Sequence, residues 1–135
     1  MTAWKRRKGT VKAKFVTVGI RVKELEKSAD FYVKLLGMKI VGRGKLEETK
    51  GEWIELANEK DGFILELNYY GVGSPYCVEY SVGEGLDHLT FKVDNLDEAL
   101  KEMDLAGYHV KDKHRQGKFQ WAYVEDPNGI WIQLY

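Results

Sequence analysis

The sequence is short of residues that fix a chain by covalent or conformational constraint. Cys77 is its one cysteine, which excludes an internal disulfide and leads us to expect a reducing compartment. Its two prolines, Pro75 and Pro127, exclude a proline-rich linker or ligand. Neither sign of charge is in excess. With 21 basic and 21 acidic residues the formal net charge is +0, so no global field draws the chain to nucleic acid or an anionic membrane. No apolar run reaches the length of a bilayer span, and no apolar stretch follows the basic start as a secretory signal requires. The expectation is a cytoplasmic protein without nucleic-acid or membrane partners.

What is present is enough for one domain. The 135 residues are 44% hydrophobic, which supports a single core and is too little chain for two ordinary domains. Residues 1–14 form a basic arm in which Lys5, Arg6, Arg7, Lys8, Lys12 and Lys14 crowd together. Such a terminus reads as a solvated arm. Residues 15–135 form the domain.

The most informative feature is a repeat. Shifted by about seventy positions, Ile20-Arg21-Val22-Lys23-Glu24-Leu25 falls on Phe91-Lys92-Val93-Asp94-Asn95-Leu96. Trp53-Ile54-Glu55-Leu56 falls on Trp121-Ala122-Tyr123-Val124, and Asp61 to Leu67 falls on Asn128 to Leu134. Module one covers about 15–70, a turn-rich linker 71–84, and module two about 85–135. Each module reads as βαβββ. In the first, a strand over 15–22 precedes a helix over 25–36 closed by Gly37, then strands near 38–45, 51–57 and 63–69. In the second, a strand over 88–93 precedes a helix over 96–106, then strands near 108–112, 118–125 and 130–135. Neither module buries its apolar face alone. The fold class is therefore α+β, with two tandem modules related by pseudo-twofold symmetry.

Strand parity then separates core from site. Val18, Ile20 and Val22, with Leu89, Phe91 and Val93, mark aliphatic faces that belong under helices. The opposite faces carry Thr17, Gly19 and Arg21; Glu66 and Asn68; His88 and Thr90; Trp131, Gln133 and Tyr135. That mixture suits the lining of a cup-shaped mixed sheet with helices outside. The repeat pairs Thr17 with His88 and Glu66 with Gln133, and function is expected at those four positions.

These residues carry a resemblance. Asp30-Phe31-Tyr32 through Leu36-Gly37-Met38, Ile64-Leu65-Glu66-Leu67, Asp87 to Asp94, and Val124 to Gly129 before Ile132-Gln133-Leu134 resemble the vicinal oxygen chelate superfamily. Its members include glyoxalase I, bleomycin-binding proteins and extradiol dioxygenases, and the wording here is similar to bacterial-type glyoxalase I. The resemblance implies one metal ligand in each of four slots, which here read Thr17, Glu66, His88 and Gln133. It implies a divalent ion (Ni, Co, Mn, Fe or Zn) that stabilises charge when a proton leaves the substrate. Glu66 is then the catalytic carboxylate. Arg21, Asn68, Tyr70 and Trp131 are the candidate substrate-binding residues.

One departure matters. Glyoxalase I has a carboxylate in the last slot that also moves the proton, and the Gln133 amide cannot take one at neutral pH. The expected function is thus a metal-assisted lyase or isomerase on a small substrate with vicinal oxygens, rather than an ordinary lactoylglutathione lyase. The alternative is a metal-free binding protein of the bleomycin-resistance type. The resemblance also implies a homodimer.

Overall fold

The structure is a computed structural model that describes residues 16–59, 62–82, 86 and 88–135. The basic arm lies outside the described residues. Module one runs β1 (Thr17–Arg21), α1 (Leu25–Asp30), a π-helical turn (Phe31–Leu35), β2 (Lys39–Leu46), β3 (Gly51–Ala57) and β4 (Ile64–Tyr70). Module two runs β5 (Leu89–Phe91), α2 (Leu96–Leu105), β6 (Asp112–Gln116), β7 (Phe119–Glu125) and β8 (Trp131–Leu134). Each module forms one four-stranded mixed sheet, ordered β1-β4-β3-β2 and β5-β8-β7-β6.

The two sheets share one topology and one register. β1 runs parallel to β4 with Gly19 opposite Glu66, and β5 runs parallel to β8 with Thr90 opposite Gln133. On the next strand Glu55 stands opposite Glu66, and Tyr123 stands opposite Gln133. Thus Gly19 matches Thr90, Glu66 matches Gln133 and Glu55 matches Tyr123, the same offsets that the sequence repeat carries.

Local structure departs from the sequence expectation in two places. The helix expected over 25–36 is α-helical only to Asp30 and then widens into the π turn. Adjacent Phe31 and Tyr32 are both buried there, and Gly37 leaves the turn at φ +70, where a glycine has no Cβ to clash. The strand expected over 108–112 lies later, at Asp112–Gln116. Tyr108 instead closes the end of α2, its N–H donating to the Met103 carbonyl. That shift brings His114 into the sheet, opposite Trp121. At the other end of α2 the Asn95 side chain caps the helix by accepting from the Glu98 N–H at 3.0 Å.

The aliphatic faces of both sheets meet in one core that includes Ile20, Val22, Leu65 and Leu67 from module one and Val124, Ile132 and Leu134 from module two. A polar lock stitches the modules together inside it. Asp126, in the turn between β7 and β8, is buried and accepts from the Tyr32 hydroxyl at 2.8 Å. It also accepts from the Asn128 N–H at 2.7 Å and the Ile130 N–H at 2.9 Å. Asn128 reaches back to module one: its Nδ2 donates to Ser28 Oγ at 3.0 Å, and its Oδ1 accepts from the Lys23 N–H at 2.8 Å. No buried side-chain polar atom among the described residues lacks a partner.

Burial, followed by the Asp126 charge and the hydrogen bond to it, holds the Tyr32 hydroxyl well above the ordinary tyrosine range. A group whose pKa is raised on folding stabilises fully below its unfolded value, about 10 for tyrosine, and loses that contribution as pH climbs beyond it. Tyr32→Phe is therefore expected to lower stability by about 1–3 kcal/mol at neutral pH. The same change flattens the alkaline limb of stability against pH. Urea denaturation of both proteins between neutral and strongly alkaline pH tests this, and superimposable alkaline limbs refute it.

Candidate functional site

On the open face of sheet one, the face turned away from the core, the register aligns Gly19, Glu66, Glu55 and Gly42 across four strands. Arg21, Asn68, Trp53 and Gly44 form the next row. The glycines on β2 leave space for their neighbours. A Cβ at Gly44 would overlap the Trp53 ring, and one at Gly42 would run into the Glu55 carboxylate. Gly19 does the same at lower pressure, since a Cβ there would lie 3.2 Å from Asn68 Nδ2 and 3.9 Å from Glu66 Oε1.

Glu66 is half-buried and forms no ion pair among the described residues. Arg21, a possible partner on the same face, is engaged elsewhere: its guanidinium donates to the Val78 carbonyl of the linker and lies over the Tyr80 ring, 5.6 Å from its centre. Burial and then Asp126 raise the Tyr80 hydroxyl, with Arg21 opposing them. Asn68 turns its Nδ2 to the Glu66 carbonyl at 3.4 Å, and the Tyr70 ring packs 5.4 Å from Tyr76.

The open face of sheet two has different chemistry. Gln133 sits between Thr90 and Tyr123, and its Oε1 accepts from the Thr90 hydroxyl at 3.0 Å. His88, two residues before Thr90, meets the Tyr123 ring edge-on at 5.6 Å. Around them spreads an aromatic surface. Tyr123 contacts Trp131 at 5.2 Å, His114 stacks on Trp121 at 5.3 Å, and Phe119 contacts both Trp121 and Tyr135. Phe119, Trp131 and Tyr135 remain 47%, 37% and 39% exposed, so this face has large aromatic area still facing water.

The structure thus gathers the four sequence-predicted slots in pairs, Thr17 with Glu66 on one sheet face and His88 with Gln133 on the other. The contacts joining the modules, through Tyr32, Asp126, Ser28 and Asn128, lie on the core side of the sheets. Among the described residues no group of three His, Cys, Asp or Glu side chains forms a metal cluster. Of the aromatic candidates for the lining, Trp53, Trp121, Tyr123, Trp131 and Tyr135, strand parity assigned only the last two; the structure adds the other three, together with Glu55 and Phe119, which the sequence did not single out. The alternation of Trp121 and Tyr123 with buried Ala122 and Val124 was the available sign. His109 is exposed beside Asp104, and Cys77 lies in the linker, half-buried. No helix among the described residues is long and apolar enough to cross a membrane.

Comparison with known proteins gives a consistent picture. Residues 14–134 match the family described as the Glyoxalase/Bleomycin resistance protein/Dioxygenase superfamily. The lactoylglutathione lyase of Escherichia coli O157:H7 is 32% identical over 121 residues, which cover 85% of this chain and 86% of that protein. The lactoylglutathione lyase of Schizosaccharomyces pombe is also 32% identical across 85% of this chain, but the match spans only 44% of its length. Among solved structures, the trypanothione-dependent glyoxalase I of Leishmania major superposes with TM-score 0.77 at 26% identity, covering 91% of this chain and 86% of that one. An antibiotic-binding protein from Streptomyces sp. CB03234 shares the fold, with TM-score 0.68 at 21% identity over 93% of this chain and 97% of its own.

The seating of Trp53 on Gly44 gives a direct test of this face. Gly44→Ala is expected to displace the indole and cost about 1–3 kcal/mol through overpacking. Thermal denaturation together with the tryptophan emission maximum checks it, and an unchanged midpoint counts against the close seating.

Proposed function

Because the chain belongs to the Glyoxalase/Bleomycin resistance protein/Dioxygenase superfamily, we propose that it is a glyoxalase-like, divalent-metal-assisted lyase or isomerase. Its substrate is a small molecule with two adjacent oxygens. The observation that carries this reading is the half-buried Glu66 carboxylate on an open sheet face, unpaired among the described residues and register-matched to Gln133. A carboxylate on an open face without a cation beside it has its oxygen lone pairs available to a metal ion.

The donor set fits a divalent ion. Glu66 and His88 would hold it, with the Gln133 amide oxygen as a neutral third donor and the Thr17 hydroxyl as the weakest. When bound, the ion (Ni, Co, Mn, Fe or Zn) would supply Lewis-acid stabilisation of the charge that develops as a proton leaves the substrate. Glu66 accepts that proton, since Gln133 has no basic site. Glu55, opposite Glu66 on the same face, offers a second carboxylate for passing it on. Asn68 stands next to Glu66 on the same face of β4 with Tyr70 beyond it, Trp131 supplies an apolar wall, and Arg21 meets a substrate anion once it leaves the Val78 carbonyl. The exposed aromatic face of Phe119, Trp131 and Tyr135 supports a homodimer in which a second copy would cover it.

One observation favours a second reading, a metal-free small-molecule binding protein. Thr90 already occupies Gln133 Oε1, and the aromatic face beside it suits a planar ligand.

Metal analysis of protein purified without chelator separates the two. Near-stoichiometric metal, lost in a Glu66→Ala/His88→Ala double variant, supports the enzyme reading; an empty site in both refutes metal assistance. Given turnover, Glu66→Gln is expected to lower kcat by about 10²–10⁴, and unchanged kcat removes Glu66 as base. Gln133→Glu restores a carboxylate to the last slot. It is expected to raise metal retention and lactoylglutathione turnover together, and a gain in neither counts against this slot assignment.

A further inference from the structure

β1 and β5 each end their sheet, and among the described residues they pair only with β4 and β8. A cavity of about 840 Å³ is lined by both of these edge strands. Val18 faces it from β1, and Leu89 and Phe91 from β5. Leu36 and Met38, which follow the π turn, and Ala99 of α2 complete an apolar wall. Its size falls within the range of about 300–1,000 Å³ usual for small-molecule sites.

The cavity adjoins the candidate site. Two of its lining residues are register partners of predicted slots: Ile64 stands opposite Thr17, and Thr90 stands opposite Gln133. The Thr90 hydroxyl also donates to Gln133 Oε1 at 3.0 Å, so one side chain touches both the slot and the cavity. A group held at Gln133 therefore has an apolar recess directly beside it. Charge at the rim selects what enters. Asp94, Glu98 and Glu102 line the recess and are exposed, against Lys92 as the one cation among its described lining residues. An anionic tail would add to the repulsion between Glu98 and Glu102, four residues apart on α2. Hydrocarbon meets no such penalty, and each methylene removed from water tightens binding by up to about fourfold.

We propose that this cavity holds the tail of the substrate, and that the tail is an uncharged hydrocarbon chain. The inference rests on the proposed vicinal-oxygen site. The two oxygens lie beside Glu66 and Gln133, and the chain enters between β1 and β5. The substrate class is then a long-chain α-hydroxy carbonyl compound. Short relatives bind the same centre without the contribution of the tail.

Calorimetric titration of metal-supplemented protein with hydroxyacetone, 1-hydroxy-2-decanone and 2-decanone provides the test, with amide resonances recorded alongside. The first two share the vicinal oxygens and differ only in chain length; the third keeps the chain without the hydroxyl. 1-Hydroxy-2-decanone is expected to bind at least about 10²-fold tighter than hydroxyacetone, and to shift the resonances of Leu36, Leu89 and Ala99. Ala99→Phe, which fills the cavity, is expected to cut that gain to less than about tenfold and to leave hydroxyacetone binding unchanged. Equal affinity for the long and short compounds overturns the proposal. So does a gain that leaves those three resonances unmoved or survives Ala99→Phe, because the chain then lies elsewhere. 2-Decanone separates this proposal from the reading beneath it. If it shifts the same resonances and binds as tightly as the hydroxy compound, the tail site stands and the vicinal-oxygen centre falls. If neither long compound shifts them, the tail site falls, whatever metal the protein carries.

Discussion

The rest of the structure depends on the buried carboxylate of Asp126. A turn carrying Asp-Pro-Asn-Gly would ordinarily sit at the surface as a hairpin connection. Here it is driven into the junction between modules, where Asp126 gathers the Tyr32 hydroxyl and the N–H groups of Asn128 and Ile130. Each partner satisfies a group that would otherwise be costly to bury. Because Tyr32 and Ser28 belong to module one, the turn fixes the relative placement of the two halves by directed bonds. Aliphatic packing supplies the cohesion, but it does not choose an orientation.

The repeat gives both modules the same scaffold, and their chemistry diverges on it. In the row that crosses the centre of each sheet, module one presents Gly19, Glu66 and Glu55 where module two presents Thr90, Gln133 and Tyr123. One row is anionic; the other is neutral, hydrogen-bonded and aromatic. A ligand spanning both rows would meet charge at one end and ring faces at the other. That polarity is consistent with a substrate whose reacting oxygens and apolar remainder lie at opposite ends.

Much of this was legible in the sequence because it rests on periodicity. Strand parity separated Ile20 and Val22 from Arg21, and Leu65 and Leu67 from Glu66, since a strand lining a core repeats every two residues. The offset between modules by itself sets Glu66 and Gln133 at matched positions. Non-local features were less visible. Nothing adjacent to Phe31 announces a π turn, which follows from burying two consecutive aromatics together. The late start of β6 is set by the register of its hairpin with β7, Asp112 opposite Tyr123 and His114 opposite Trp121, which strand alternation alone does not fix. The engagement of Arg21 by the Val78 carbonyl depends on the path of a linker whose composition is turn-rich but whose course is not encoded locally. Glu55 was visible as a residue but not as a neighbour of Glu66, because only sheet order brings β3 beside β4.

The difference between Gly19 and Thr90 has a consequence for how such a duplicated domain specialises. Thr90 tethers its cross-strand partner through a hydroxyl, whereas Gly19 has no side chain with which to hold Glu66. One half holds its central side chain by a hydrogen bond from the facing strand, and the other receives none from that strand. The two halves therefore diverge through the side chains at three matched positions, with no change of strand order or register. Changes in that row would alter the chemistry of one half before they altered the register that both halves share.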